Sequence, residues 1–240
     1  MQEKQPLSQH SATSSQTQSE KAVFLAHSDI FGHLQSADLN ELERLTTVIT
    51  CPPGRIFYRP GEKGTTLFLL LSGTVQLYHI SPDGRKLITA SLAAGASFGE
   101  LPLFGQPLHT SFAEAIESSQ IGILNRLEID HLLSQQPEVA LGFLKAITQR
   151  IIQLEAQLID TTFKSTLSRL ATLLLQLAQR QGTTLVVDGM SHEELAERLG
   201  VYRETVSAAL RELKDAGTIT SGRKHITIRQ PARLKEIAAF

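Results

Sequence analysis

The sequence has one cysteine, Cys51, no apolar run near twenty residues, and no arginine or lysine between Ser97 and Phe112. Each absence excludes something. A lone thiol leaves no internal disulfide framework, no Cys-only metal cluster and no four-ligand iron–sulfur centre within one chain, and it fits a reducing cytoplasm. Without a long apolar run there is no membrane-spanning helix. Residues 1–21, "MQEKQPLSQHSATSSQTQSEK", are rich in Gln and Ser and lack the apolar stretch of a secretory leader, so they read as a tail outside the fold. No G-x-x-x-x-G-K-[ST] cradle, clustered His-x-His set or nucleophile–base–acid arrangement appears, so neither an enzyme nor a bound metal or cofactor is expected. A haem iron would need an axial ligand such as His79, His109 or Cys51, and scattered residues of this kind are ordinarily structural.

What is present is enough chain for two domains: 240 residues, 41% apolar and 20% charged. The net charge of −1 hides a division. Residues 1–160 hold 11 Lys/Arg against 16 Asp/Glu, a balance of −5, while residues 161–240 hold 12 against 8, a balance of +4. An acidic body joined to a basic C-terminal module suggests that the module meets a polyanion, most often nucleic acid.

From about Val48 to Leu124, short β-branched and aromatic runs alternate with glycines, as an antiparallel roll or sandwich requires. In "SPDGRK", Asp83 and Gly84 are expected to supply both left-handed residues of a tight hairpin. A helical segment, "SADLNELERLTTVI", precedes and overlaps the start of this block with Leu39, Leu42 and Leu45 on one face. After the block the period changes. In "PEVALGFLKAITQRIIQLEAQLID", Leu144, Ile147, Ile151, Leu154 and Leu158 recur at spacings of 3, 4, 3 and 4, an a/d seam. The seam either packs on its own roll or pairs with a twin across a two-fold axis; its regularity favours a parallel homodimer.

The C-terminal module carries the most specific signal. "TFKSTLSRLATLLLQLAQRQG" reads as one helix ended by Gly182, and "TTLVVDG" as a strand and turn. Ser191 to Glu194 forms a capping box, Gly200 closes the helix that begins there, and a second helix from Tyr202 to Ala216 follows at helix-turn-helix spacing. At about 100° per residue, Val206, Ala209, Leu210 and Leu213 fall on one arc, and Arg203, Glu204, Ser207 and Arg211 on another. The second arc suits a major groove. Arg203 can donate two bonds to guanine and Glu204 can accept from cytosine, Ser207 is an adaptable donor or acceptor, and Arg211 lies nearer phosphate. "TITSGRKHITIRQ" adds two short strands with a basic tip, a wing whose Arg223 and Lys224 would touch phosphates. Ser191 and His192 would do so through the amides of a helix start.

In this order the segments, and "PGEKGTTLFLLLSGTVQLY", "FGEL" and "GVYRETVSAALREL" in particular, resemble the Crp/Fnr family of bacterial transcription regulators over about residues 22–230. The resemblance implies an α+β fold: a β-roll effector domain of the cyclic-nucleotide-binding kind (22–136), a central dimerisation helix (137–160) and a winged helix-turn-helix (161–240). It further implies a cytoplasmic homodimer that binds double-stranded promoter DNA, works with RNA polymerase and has room for a small-molecule effector. Arg203 and Glu204 match the family's base-reading positions, but a position that is often Arg is Ala208, and the helix cap, often Ser or Thr, is Tyr202.

For the effector pocket the resemblance points to Phe98, Gly99, Glu100 and Leu101, with Thr110 and Ser111 where cyclic-AMP-binding relatives carry Arg-Ser. A buried phosphate without its cation is costly, so cyclic AMP is not the expected effector. His109 is the one nearby group that protonation would make cationic. Leu154 and Glu155 stand where those relatives place the polar pair that meets adenine. Arg150 and Glu155 also resemble the pair that the family's cyanobacterial nitrogen regulator uses around 2-oxoglutarate. The expectation is a DNA-binding regulator with a different effector or none; a non-DNA signalling module and an enzyme are its rivals.

Overall fold

The computed structural model describes residues 24–32 and 34–239, so the expected tail over residues 1–21 lies outside the described residues. The chain divides into two units. One runs up to Leu77 and resumes over Ala90–Arg150; the other holds Tyr78–Thr89 together with Ile151–Phe240.

The first unit is built on two sheets, except that the hairpin end of two strands, Tyr78–Thr89, belongs to the second unit. Strands β1 (Thr47–Cys51), β3 (Thr66–Ser72), β6 (Ser97–Phe98) and β8 (Ser119–Asn125) form one in the order β1-β8-β3-β6. Strands β2 (Ile56–Tyr58), β4 (Val75–Ile80), β5 (Lys86–Leu92) and β7 (Phe112–Ala115) form the other in the order β2-β7-β4-β5. Leu70, Val75, Phe98, Ala113, Ala115 and Ile121 fill a core among these strands. A second core gathers Phe31, Leu42, Leu67, Leu124, Ile129, Leu132 and Phe143. It brings together helices α1 (Ser36–Leu45), α3 (Arg126–Gln135) and the start of α4 (Glu138–Phe163); α2 (Leu101–Phe104) is a single turn. Leu42 is fully buried and Leu39 and Leu45 partly so, as their spacing predicts, but α1 stops before Thr47, where β-branched residues enter a ladder with β8.

The hairpin "SPDGRK" differs from expectation. Only Gly84 is left-handed, with φ of 86°, and Asp83 keeps a negative φ. Gly84 N–H donates to Ser81 O at 2.9 Å and Ser81 N–H to Arg85 O at 2.9 Å, so the turn needs one such residue rather than two.

In the second unit, α5 (Thr166–Leu177) is capped by Ser165, whose hydroxyl accepts from Ser168 N–H at 3.1 Å. This helix ends at Leu177 rather than at Gly182. Gln179–Gln181 forms β9 and pairs with β10 (Thr184–Asp188), and Gly182, at φ of 61°, sits in the turn between them. Then come α6 (His192–Leu199), α7 (Arg203–Asp215), β11 (Ile219–Gly222), β12 (His225–Ile228) and α8 (Pro231–Ala238). The strands form a sheet in the order β11-β12-β10-β9. Leu170, Leu174, Leu195, Val206, Leu210, Leu213, Ile226 and Leu234 make one core beneath the helices. No helix among the described residues is long and apolar enough to cross a membrane.

Candidate nucleic-acid interface and effector pocket

At the expected pocket, β6 leads through Gly99 into Glu100. Gly99 has φ of 85°, and a Cβ there would lie 2.8 Å from Thr66 O, so only glycine lets the chain turn this close to β3. The turn buries Glu100, whose Oε1 accepts from Arg150 Nη1 at 2.7 Å. The cation that the loop lacks is thus supplied by α4. A partner of this kind is needed, because a carboxylate removed from water without one is costly. Arg150 also attracts Asp29, whose carboxylate accepts from Ser97 N–H at 3.2 Å. Burial still holds Asp29 above the usual carboxylate pKa range, against its bonds to Ser97 and the pull of Arg150.

Tyr58 closes the cluster. Burial raises its phenol pKa, the Glu100 carboxylate adds to this, and Arg150, Ser111 and Gly99 oppose it. Its ring stacks on His109 with centroids 3.6 Å apart and planes 4° apart. His109 is 7% exposed, and burial lowers its pKa against the field of Glu62. The histidine that the sequence offered as a replacement cation is therefore a neutral stacking partner.

Of the expected pocket residues, Glu100, Arg150, Gly99 and Ser111 converge around Tyr58, and Phe98 is buried in an aromatic group with Phe57, Phe68 and Tyr58. Leu101 is 51% exposed, and Thr110 is exposed. Leu154 and Glu155 are exposed on the part of α4 that belongs to the second unit. Tyr58 and Asp29 were not legible in the sequence, because neither lies in a motif and both reach the cluster through the tertiary fold. Among the described residues no group of His, Cys, Asp and Glu could hold a metal ion.

The candidate nucleic-acid interface is built from α6, a turn and α7. The capping box at α6 is reciprocal: Ser191 Oγ accepts from Glu194 N–H at 3.1 Å, and Glu194 Oε2 accepts from Ser191 N–H at 2.7 Å. This engages the Ser191 amide, so that donor is not open to phosphate as its position in the sequence suggested. Gly200, at φ of 66°, ends α6, and Arg169 of α5 donates to the Leu199 carbonyl. Val206, Ala209, Leu210 and Leu213 are buried while Arg203, Glu204 and Arg211 are exposed, so the two arcs separate as the helical angles require. Ser207 is half-buried and its Oγ lies 2.8 Å from His192 Nδ1, which ties α7 to the first residue of α6. At the wing, Arg223 and Lys224 form the exposed tip between β11 and β12; Lys224 adopts φ of 52°, and its Nζ lies 3.8 Å from Glu194. Burial would raise the Glu194 pKa, but the Ser191 bonds, Lys224 and Arg198 together bring it below the usual value.

The central seam faces outward. Leu144, Ile151, Leu154 and Leu158 are 61%, 57%, 43% and 66% exposed, and Ile147 is half-buried. Much of the stripe is therefore open to solvent.

Residues 48–136 match the family model of the cyclic nucleotide-binding domain, and residues 168–237 that of the Crp-like helix-turn-helix domain. The chain is 31% identical over 187 residues to a cyclic AMP receptor protein of Thermus thermophilus, a match covering 78% of this chain and 86% of that one. It is 29% identical over 215 residues to a CRP-like cAMP-activated global transcriptional regulator of Mycobacterium tuberculosis, covering 88% and 96%. A solved transcriptional regulator of the CRP/FNR family from Thermus thermophilus has the same fold, with a TM-score of 0.69 at 26% identity over 81% of this chain and 99% of that one.

Proposed function

Because the chain belongs to the Crp/Fnr family of bacterial DNA-binding transcription regulators, we propose that it acts as a homodimer that reads promoter DNA through α7 and does not respond to cyclic AMP. The observation that carries the DNA-reading half is the exposed row of Arg203, Glu204 and Arg211 on a helix whose other face is sunk in the core. A row anchored in this way meets a groove as a rigid unit, with Arg203 and Glu204 at base edges and Arg211, Arg223 and Lys224 at phosphates. Two such helices related by a two-fold axis would read half-sites about 34 Å apart, beside which the dimer would meet RNA polymerase.

The effector half rests on Glu100 and Thr110. The carboxylate that would receive a ribose hydroxyl already holds Arg150, and no cation stands at Thr110 to meet a cyclic phosphate. A second reading follows from the same pair. Arg150 is the cation at this cluster, so a small dicarboxylate such as 2-oxoglutarate would compete with Glu100 for it. Selection of double-stranded DNA from a random pool, followed by affinity measurements with and without cyclic AMP, tests both halves. A near-palindromic site should emerge, cyclic AMP should leave its affinity unchanged, and Arg203→Ala should relax selectivity at one base pair by about 1–3 kcal/mol. Tight cyclic AMP binding that raised operator affinity would overturn the effector reading, and an Arg203→Ala protein with full selectivity would overturn the assignment of α7.

A further inference from the structure

The start of α7 has an unusual occupant. Tyr202 holds the N-cap position and makes no side-chain cap bond, because a phenol cannot fold back on the first-turn amides as a Ser or Asp oxygen does. Its hydroxyl donates instead to Asp83 Oδ2 at 2.6 Å, and Asp83 stands at the tip of the β4–β5 hairpin, in the same structural unit. Arg85 Nε donates to that carboxylate oxygen at 2.9 Å, and the Arg85 guanidinium carbon lies 4.8 Å from the centre of the Tyr202 ring. Asp83, Arg85 and Tyr202 thus close a triangle in which each touches the other two.

The contact continues along the hairpin. Lys86 Nζ lies 3.4 Å from Glu197 Oε2 on α6. Leu87 packs at Gly200, where a Cβ would come within 2.8 Å of Leu87 Cδ1. Adjoining hairpin residues therefore grip the last turn of α6, the tight turn and the first position of α7 by three kinds of interaction: a hydrogen-bonded aromatic, an ion pair and an apolar contact. None of these contacts involves Arg203, Glu204 or Arg211, which stay exposed. A hairpin that masked the reading face would cover those residues, so this one holds the helix without blocking it.

We propose that the β4–β5 hairpin is a brace for the recognition helix, and that Asp83 and Tyr202 are positioning residues for DNA binding through Arg203 and Glu204. The inference rests on the reading of α7 as the groove-reading helix. The first turn of that helix carries the base-reading side chains, and productive contacts require placement to within about 0.5 Å. Holding Tyr202 fixes the backbone from which Arg203 and Glu204 project. The hairpin itself need not touch DNA.

The test uses the full-length protein and the DNA site it selects, with Asp83→Ala, Tyr202→Phe, the double variant and Arg203→Ala. Each of the first two should weaken binding about three- to tenfold, as loss of one solvent-exposed hydrogen bond would. The double variant should be no weaker than the worse single one, since both remove the same contact. Base preference should be unchanged, as should the slope of log affinity against log salt, because no phosphate contact is lost. Asp83→Glu, which keeps the acceptor and the charge, should recover part of the affinity. Wild-type affinity in Asp83→Ala, or additive losses in the double variant, would overturn the brace. So would a reduced salt slope in Tyr202→Phe, which would place Tyr202 on a phosphate. Arg203→Ala separates the two levels: if it keeps selectivity the reading of α7 fails, and if it loses selectivity while Asp83→Ala binds normally only the brace fails.

Discussion

His109 shows how a single side chain changes its role with its surroundings. In the sequence it is the nearest group to Thr110 that could become cationic, yet the fold clasps its backbone between Gly61 N–H and Glu62 O, each at 2.8 Å, and lays its ring on Tyr58. Burial then opposes the charged form. The unfolded chain takes up this proton near pH 6.5 while the folded chain resists it, so stability from His109 is complete above that pH and lost as the pH falls toward the lower folded value. Asp29 pulls the other way, because its raised pKa lets the folded state accept a proton before the unfolded one. The contribution of His109 is therefore read from a difference. His109→Gln should be less stable than wild type at pH 7.5, by about 0.5–1.5 kcal/mol for the lost stack, and the gap should narrow by pH 5.5. Urea unfolding at the two pH values measures it, and a gap that held constant or widened would contradict the burial argument.

At the scale of elements, the boundaries of α6 depend on its ends. Ser191→Ala removes the acceptor for Glu194 N–H and should cost about 0.5–2 kcal/mol. Gly200→Ala should cost more than Ser191→Ala, because the roughly 1–2 kcal/mol of a left-handed alanine is joined by a Cβ that would meet Leu87. Thermal unfolding of the two variants checks the order. These two ends were legible in the sequence because capping is local: Ser191, Glu194 and Gly200 settle it among themselves. The arcs of α7 and the seam of α4 were legible for the same reason, since periodicity fixes which residues share a face. The end of α5 was not, because Gln179–Gln181 leaves the helix to pair with Thr184–Val186, a choice made by the ladder and not by propensity. The Glu100–Arg150–Tyr58 cluster was legible only in part: its loop carries a motif, but Tyr58 and Asp29 come from segments with none. The grip of Asp83 on Tyr202 spans a sequence distance over which no pattern speaks, although the unusual residue at the N-cap was visible.

At the scale of the whole molecule, the outward seam asks for a partner. Leu144, Ile151, Leu154 and Leu158 leave about half of each apolar side chain in water along the seam, and burying that half would return about 0.7–2 kcal/mol apiece. A second copy of α4, as in the proposed homodimer, would supply a matching stripe in register, as a parallel coiled coil requires. Ile151→Glu with Leu158→Glu would place four like charges in that dimer's core, while in a single chain both positions already face solvent, so folding should survive the change. Sedimentation velocity should show a monomer with wild-type helicity by circular dichroism. Operator binding should weaken about 10²- to 10⁴-fold, because two linked half-site contacts become one, while a single half-site should bind as before. A variant that sediments as a dimer would remove the seam as the interface. One that is monomeric yet binds the full operator at wild-type affinity would show instead that the second copy adds nothing to DNA recognition.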